Sequence, residues 1–236
     1  MTGNALPAVM VAMAEELAPY RQAGELQGAP EAVGGATFAK AEIGGRPVLL
    51  VRTGIGLVNA ASGATTAITK YGATALISAG SAGGMSGKLQ VGGIVVGDSA
   101  AYSMADATSF EHKYVYGQVP GQPAQFTADP ALVAAAQSAA ATATGGAPAH
   151  TGLIISGDAF VSQRHFHDFI AMFPDALAAD METAALAQVA NLFGVPWLAV
   201  RSVSDMCGPL AAGDFAANIK HAAGRSADVV LGLLRA

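Results

Sequence analysis

The sequence predicts an α/β protein, a three-layer α/β/α sandwich around a central mixed sheet, on three observations. Short apolar or β-branched runs recur along the chain, stretches of helical character separate them, and Gly194 followed by Pro196 punctuates one of those stretches cleanly. The runs at residues 7–12, 47–52, 74–79, 93–97, 151–155, 177–179 and 196–203 read as strands. Helices are predicted over residues 59–71, 130–142 behind an Asp129 N-cap, 163–172, 182–193 and 215–234. A glycine after a helix takes the left-handed cap conformation and a proline cannot continue the helix, which is why Gly194 and Pro196 mark an end. Residues 101–125 carry Tyr, Phe, Gly and Pro without a sustained period and read as a long loop, of the kind that covers a site or an interface. The Ala-rich stretch 134–143 reads as helix rather than low complexity, and no internal repeat is present.

A chain of 236 residues can bury a substantial core as one domain, residues 1–236, without a linker. The net charge of −5 offers no basic footprint for a nucleic-acid backbone or an anionic membrane, so a small-molecule partner is expected. Charged residues make up 12% of the chain, about half the usual share of roughly 25%. Either part of the surface is covered by another subunit, or the chain is simply rich in Ala and Gly. The apolar stretch at residues 5–14 has no basic residue before it and runs into Glu15 and Glu16, unlike a signal peptide or a membrane span. A cytoplasmic location is expected. A single cysteine, Cys207, excludes an intramolecular disulfide framework and a multi-Cys zinc site, and reads as a buried spectator.

In open α/β sheets ligands gather beyond the carboxyl ends of the strands. Four such places carry unusual residues: Glu15 and Glu16; the run Gly80-Ser81-Ala82-Gly83-Gly84; Asp180, Met181 and Glu182; and Ser204 with Asp205. Three of the four supply carboxylates in a charge-poor chain, which predicts a converging acidic pocket. Taken singly, Glu15, Glu16, Asp180 and Glu182 are also what a helix dipole favours in a first turn. The glycine run lacks the Gly-Lys-Ser/Thr ending of a phosphate loop and the dinucleotide spacing, so it reads as backbone passing close to a ligand. His165 and His167, two positions apart on a helix, point in different directions and do not make a metal pair. No Ser/His/Asp order or nucleophile elbow appears. Neither metal nor cofactor is expected.

Seven ordered motifs run through the chain: Ala12-Met13-Ala14-Glu15-Glu16, Thr53-Gly54-Ile55-Gly56, Ala79-Gly80-Ser81-Ala82-Gly83-Gly84, Asp106-Ala107-Thr108-Ser109-Phe110, Ser156-Gly157-Asp158-Ala159-Phe160, Asp180-Met181-Glu182 and Arg201-Ser202-Val203-Ser204-Asp205. Together they resemble the 5′-methylthioadenosine/S-adenosylhomocysteine nucleosidases of the nucleoside phosphorylase superfamily, over nearly the whole chain. The resemblance implies a cofactor-free homodimer that hydrolyses the N-glycosidic bond of methylthioadenosine and S-adenosylhomocysteine, and of 5′-deoxyadenosine, within methionine salvage. It makes Glu16 the base that activates water and Glu182 the carboxylate on the ribose 2′- and 3′-hydroxyls, with Met181 against the sugar and Arg201 near the water. Asp205, assisted by Ser204, becomes the acid for adenine N7. Phe160 then stacks on the base, the Val161 backbone reads its amino edge, and Ser81 and Ile55 line the ribose and 5′ group. Ala107 and Phe110 fall on the 5′ side, and Phe215 matches a pocket phenylalanine.

That chemistry needs these residue types. Adenine leaves only with charge relief on the base, so the acid must be protonated at neutral pH, and burial raises a carboxyl pKa. The ribose becomes oxocarbenium-like, which a nearby carboxylate stabilises while a second carboxylate activates water. The chain departs from the family pattern after Phe110, where either His112 or Tyr114 takes the aromatic position near the 5′ group, and at Ala107, where a larger aliphatic is common. Related phosphorylases place an arginine where this chain has Ser78, and a phosphate beside Glu16 without a guanidinium would be repelled. The alternatives are therefore a purine nucleoside phosphorylase of the same fold, a hydrolase of futalosine or aminodeoxyfutalosine, and a non-catalytic adenosine-binding protein.

Overall fold

The computed structural model describes residues 5–110, 113–143 and 149–236. The first half runs β1 (Pro7–Val11), α1 (Ala14–Ala23), β2 (Glu25–Leu26), β3 (Glu31–Val33), β4 (Ala36–Ile43), β5 (Arg46–Arg52), α2 (Leu57–Thr69), β6 (Ala75–Gly84) and β7 (Ile94–Tyr102). It continues through β8 (Phe126–Thr127), α3 (Pro130–Ala143), β9 (His150–Ser156), α4 (Gln163–Met172), β10 (Ala178–Asp180), α5 (Thr183–Phe193), β11 (Trp197–Asp205) and α6 (Ala211–Arg235).

The strands form one mixed sheet in the order β10-β9-β7-β11-β6-β1-β5-β4-β2, with β3 on β4 and β8 on β7. Both faces of its centre are buried, and alternate residues of each strand serve opposite layers. Ala8 and Met10 of β1, Leu49 and Val51 of β5, and Leu76 of β6 pack in one cluster with Ala64 and Ala67 of α2 and Leu186 and Ala187 of α5. Their neighbours Val9, Val11, Val48, Leu50 and Ile77 belong to a second cluster, with Ala136 of α3 and Val229 and Val230 of α6. This is the expected sandwich. The small residues of α2 and α5 let those helices lie close to one another and to the sheet.

One feature goes beyond a sandwich. β10 pairs in parallel with β9 and antiparallel with β6, so β6, β11, β7, β9 and β10 close on themselves. Register shifts at Gly97/Ser99 and at Val203/Asp205 bend the strands, as bulges do, and bring the ends of β6, β10 and β11 together. A third cluster, with Phe169 and Phe173 of the α4 region on Leu153 and Ile155 of β9, covers this curled end.

The strands β2, β3 and β4 and the short β8 were not foreseen. β4 does alternate, with Lys40 and Glu42 outward, but Ala, Thr and Lys mute its apolar signal. Helix α1 was signalled by its first-turn acids alone, α6 begins four residues earlier than expected, and β7 takes the first two residues assigned to the long loop. Among the described residues, no helix is long and apolar enough to cross a membrane.

Candidate active site

Glu16 is the third residue of α1, and its side chain bends back over the start of its own helix. Oε2 accepts from the backbone N–H of Ala12 (3.0 Å) and Met13 (3.1 Å). Oε1 accepts from the N–H (2.8 Å) and the hydroxyl (3.0 Å) of Ser81 on β6. The acid thus does cap its helix, but half of it belongs to the neighbouring strand. Gly80 explains how the strand comes so close. Its φ is +136°, and a Cβ there would stand 2.3 Å from Glu16 Oε1, so backbone alone fits beneath the carboxylate.

Glu182 stands at the N-cap of α5, directly after β10. Oε1 accepts from the N–H of Gly56 at the start of α2 (3.1 Å), and Oε2 lies 3.5 Å from Arg201 Nη2. Asp158 fixes that glycine from the other side, since its Oδ1 accepts from Leu57 N–H at 2.8 Å. Burial pushes the Glu182 carboxyl up to about 7, against the pull of Arg201, with Asp180 and Glu16 raising it further. Asp180 is the anchor underneath. It pairs with Arg201 Nε at 3.0 Å, accepts from Ser156 Oγ at 2.6 Å, and receives the Thr183 hydroxyl. Arg201, itself buried, spends its remaining donors on Ser78 Oγ (2.7 Å), Ser81 O (3.1 Å) and Thr183 Oγ1 (3.2 Å). Its charge is raised in stability by the three carboxylates around it although burial opposes it.

Asp205 ends β11 and is 1% exposed. Burial raises its pKa; hydrogen bonds from Cys207 N–H (3.0 Å) and Ser204 Oγ (3.0 Å) oppose the rise without cancelling it. Cys207 has φ +54°, and this left-handed turn aims its N–H back at Asp205. The thiol is buried, which pushes its pKa up to about 12, so the residue acts through its backbone.

These three carboxylates, together with Asp180, line one cavity of about 360 Å³. Its walls also include Ile55, Ser81, Val161, Met181 and Ser204, and an aromatic pair, Phe160 and Phe215, whose rings meet edge-on at 5.7 Å. Arg201 does not line it; it lies behind Glu182. Ala107 is buried outside the lining, and Phe110 is 63% exposed with its ring edge-on to Tyr114. His112 lies outside the described residues. Met13, Ala159 and Ala212 line the cavity and were not singled out. Met13 and Ala159 stand inside recognised motifs, whereas nothing in the sequence marks Ala212. The roles of Ser78 and Thr183 around Arg201 were likewise invisible, because they depend on which strands are neighbours.

Residues 8–235 match the family described as the Phosphorylase superfamily. A 5′-methylthioadenosine/S-adenosylhomocysteine nucleosidase of Geobacillus kaustophilus is 40% identical over 229 residues, covering 96% of this chain and 95% of the relative. The chain belongs to this nucleosidase family. Among solved structures, the 5′-methylthioadenosine/S-adenosylhomocysteine nucleosidase of Neisseria meningitidis in complex with methylthio-immucillin-A superposes with a TM-score of 0.93, at 36% identity and over 98% of each chain. The futalosine hydrolase of Helicobacter pylori is also similar, with a TM-score of 0.89 at 26% identity over 97% of each chain. The span shared with the nucleosidase family contains every wall of the cavity, so no part of the site falls outside it.

Proposed function

We propose that this chain hydrolyses the N-glycosidic bond of 5′-methylthioadenosine and S-adenosylhomocysteine, and of 5′-deoxyadenosine, releasing adenine and the free sugar. The observation that carries the reading is the meeting of three differently held carboxylates in one cavity with an aromatic pair at its wall. Adenine sits against Phe160 and Phe215, with its amino edge on the Val161 backbone. Asp205, whose pKa burial raises, gives its proton to N7 as the C1′–N9 bond breaks and its electron pair passes into the base. Glu182, in its ionised form, accepts from the ribose 2′- and 3′-hydroxyls, with Met181 against the sugar, and stabilises the developing positive charge. Four donors converge on the Glu16 oxygens and hold the carboxylate as an acceptor. It takes the proton of the water whose oxygen bonds C1′. Ile55 and Ser81 border the sugar and 5′ group.

Water rather than phosphate is the co-substrate. Ser78 occupies the position of a phosphorylase arginine, and Arg201 is committed to Asp180, Ser78, Ser81 and Thr183. A futalosine-type substrate is the second reading, motivated by the small Ala107 where the family carries a larger aliphatic, although Ala107 is buried outside the cavity lining of this chain. Supporting a homodimer are the exposed apolar residues Val58 and Phe110, the latter offered to the neighbouring subunit's 5′ side. The chain acts as one domain, in the cytoplasm, in methionine salvage. Incubation of the purified protein with methylthioadenosine, with and without phosphate, tests the reading. Complete adenine release without phosphate, with free 5-methylthioribose as product, is expected; a phosphate requirement or a sugar 1-phosphate would overturn it.

A further inference from the structure

Ser226 lies on α6, outside the cavity lining, and is wholly buried. Its hydroxyl donates to Val200 O at 2.8 Å and accepts from Gly80 N–H at 3.0 Å. β6 and β11 are parallel, with Gly80 opposite Arg201. In a regular parallel ladder the N–H of one residue bonds the carbonyl of the residue preceding its partner, which here is Val200. The Ser226 hydroxyl therefore bonds both groups of this rung from the side, while the register of the two strands stays unbroken through Ala79, Gly80 and Ser81. It does so at the point where Gly80 adopts φ +136°. It is the next residue, Ser81, whose N–H and hydroxyl both reach Glu16 Oε1.

We propose that Ser226 is a positioning residue for the water-activating carboxylate, holding the Gly80–Ser81 backbone in the turned conformation that aims Ser81 at Glu16. A second observation comes from the opposite side. Glu16 and Tyr20 are the two buried residues of α1 and, four apart, share one face of it. The Tyr20 hydroxyl is buried and faces Ser226, its polar neighbour on α6 among the described residues. Burial, with Glu16 nearby, keeps it protonated. Helices α1 and α6 thus meet in a polar contact directly beneath the base, within an otherwise apolar cluster. An isolated hydroxyl in such a cluster costs free energy unless it is bonded, and Ser226 has its bonds to Gly80 N–H and Val200 O.

The inference rests on the reading of Glu16 as the base, and the test separates the two. Ser226→Ala removes the side-chain acceptor that holds Gly80 N–H, which lets the Gly80–Ser81 backbone relax and turns Ser81 away from Glu16. A crystal structure of Ser226→Ala should show the Ser81 N to Glu16 Oε1 distance beyond hydrogen-bond reach. Its kcat for adenine release should fall between about tenfold and a hundredfold, as expected for a misplaced catalytic group, with KM within about twofold. Ser226→Thr, which keeps the hydroxyl, should recover most of kcat, and in a Glu16→Gln background Ser226→Ala should cost nothing further. Should Ser226→Ala fold poorly, Ser226→Cys, close in size but a weak hydrogen-bonding partner, takes its place in the same measurements. An unchanged Ser81–Glu16 contact with kcat within about twofold of wild type overturns the proposal, whatever happens to the melting temperature. An equal loss in the Glu16→Gln background does so too. Wild-type protein that releases no adenine would instead overturn the functional reading, and the crystal distance would still decide the positioning role.

Discussion

At the floor of the cavity every carboxylate oxygen has assigned partners: Glu16 receives four hydrogen bonds, Glu182 is held between Gly56 and Arg201, and Asp205 lies between Cys207 and Ser204. At its mouth, Ile55 is 50% and Phe160 41% exposed, and Phe110, outside the lining, has Tyr114 as its aromatic neighbour among the described residues. The floor is made by strand ends and helix N-termini, whose backbone groups are fixed by the sheet; the mouth is made by loops. Charge development needs donors that do not move during reaction, which regular structure supplies. Recognition of variable 5′ groups needs apolar surface that can adjust. Changes at the floor should accordingly cost turnover, and changes at the mouth should cost affinity.

The largest effect is expected at Asp205. Asp205→Asn keeps the shape and the acceptor for Cys207 but has no acidic proton to give. It should lose about 10² to 10⁴ in kcat, roughly 3 to 5 kcal/mol of barrier, while substrate affinity changes little. If Asp205 merely braces the end of β11, the same variant would melt at lower temperature with near-normal turnover per folded molecule. Measuring kcat and melting temperature on one preparation decides between them, and retention of more than about a tenth of wild-type kcat sinks the general-acid role.

Glu182 gives the next effect, and its sign follows from burial. Its carboxyl is pushed up to about 7, and the ionised form is the one that accepts two ribose hydroxyls. kcat/KM should therefore fall about tenfold for each pH unit below about 7. The folded-state pKa lies above the ordinary carboxylate value, so between the two the native protein holds the extra proton. Its contribution to stability is consequently lost as pH rises through that window. Glu182→Gln should remove the acidic limb of kcat/KM and flatten the stability profile. A limb that persists in the Gln variant assigns that titration to another group.

The floor was also the more legible part in the sequence. Glu16 and Glu182 follow strands and Asp205 ends one, and strand ends are where open α/β sheets bind ligands, so local patterning located them and motif resemblance suggested their roles. The sandwich was legible for the same reason: runs such as residues 7–12 and 196–203 are apolar throughout because both faces are covered. Closure of β10 onto β6 was not legible, since it depends on a long-range pairing through Gly83 and Gly84 that leaves no periodic trace. The buried ion pair of Arg201 with Asp180, a residue that the strand-end pattern names without a role, was not legible either. Ser226 lies far from every motif, and its bonds to Gly80 and Val200 exist only because α6 crosses β6 and β11.

The smallest expected effect tests the mouth. Phe110 is 63% exposed in the single chain, so replacing it by Ala removes little packing there and should change the stability of a subunit by no more than about 0.5 kcal/mol. If its ring instead closes the 5′ side of a neighbouring subunit's cavity, it buries apolar surface against the alkylthio group, where a phenylalanine contributes about 1.5 to 3 kcal/mol. Phe110→Ala should then raise KM for methylthioadenosine about tenfold, leave kcat within about twofold, and leave the mass of the dimer by light scattering unchanged. The effect should shrink for 5′-deoxyadenosine, which has no thioalkyl group to cover, and that substrate contrast separates a lost contact from a general loosening of the loop. A fully active monomer, or a KM unmoved for both substrates, would return Phe110 to the ordinary exposed surface and leave the mouth to be built by Ile55 and Phe160 of the same chain.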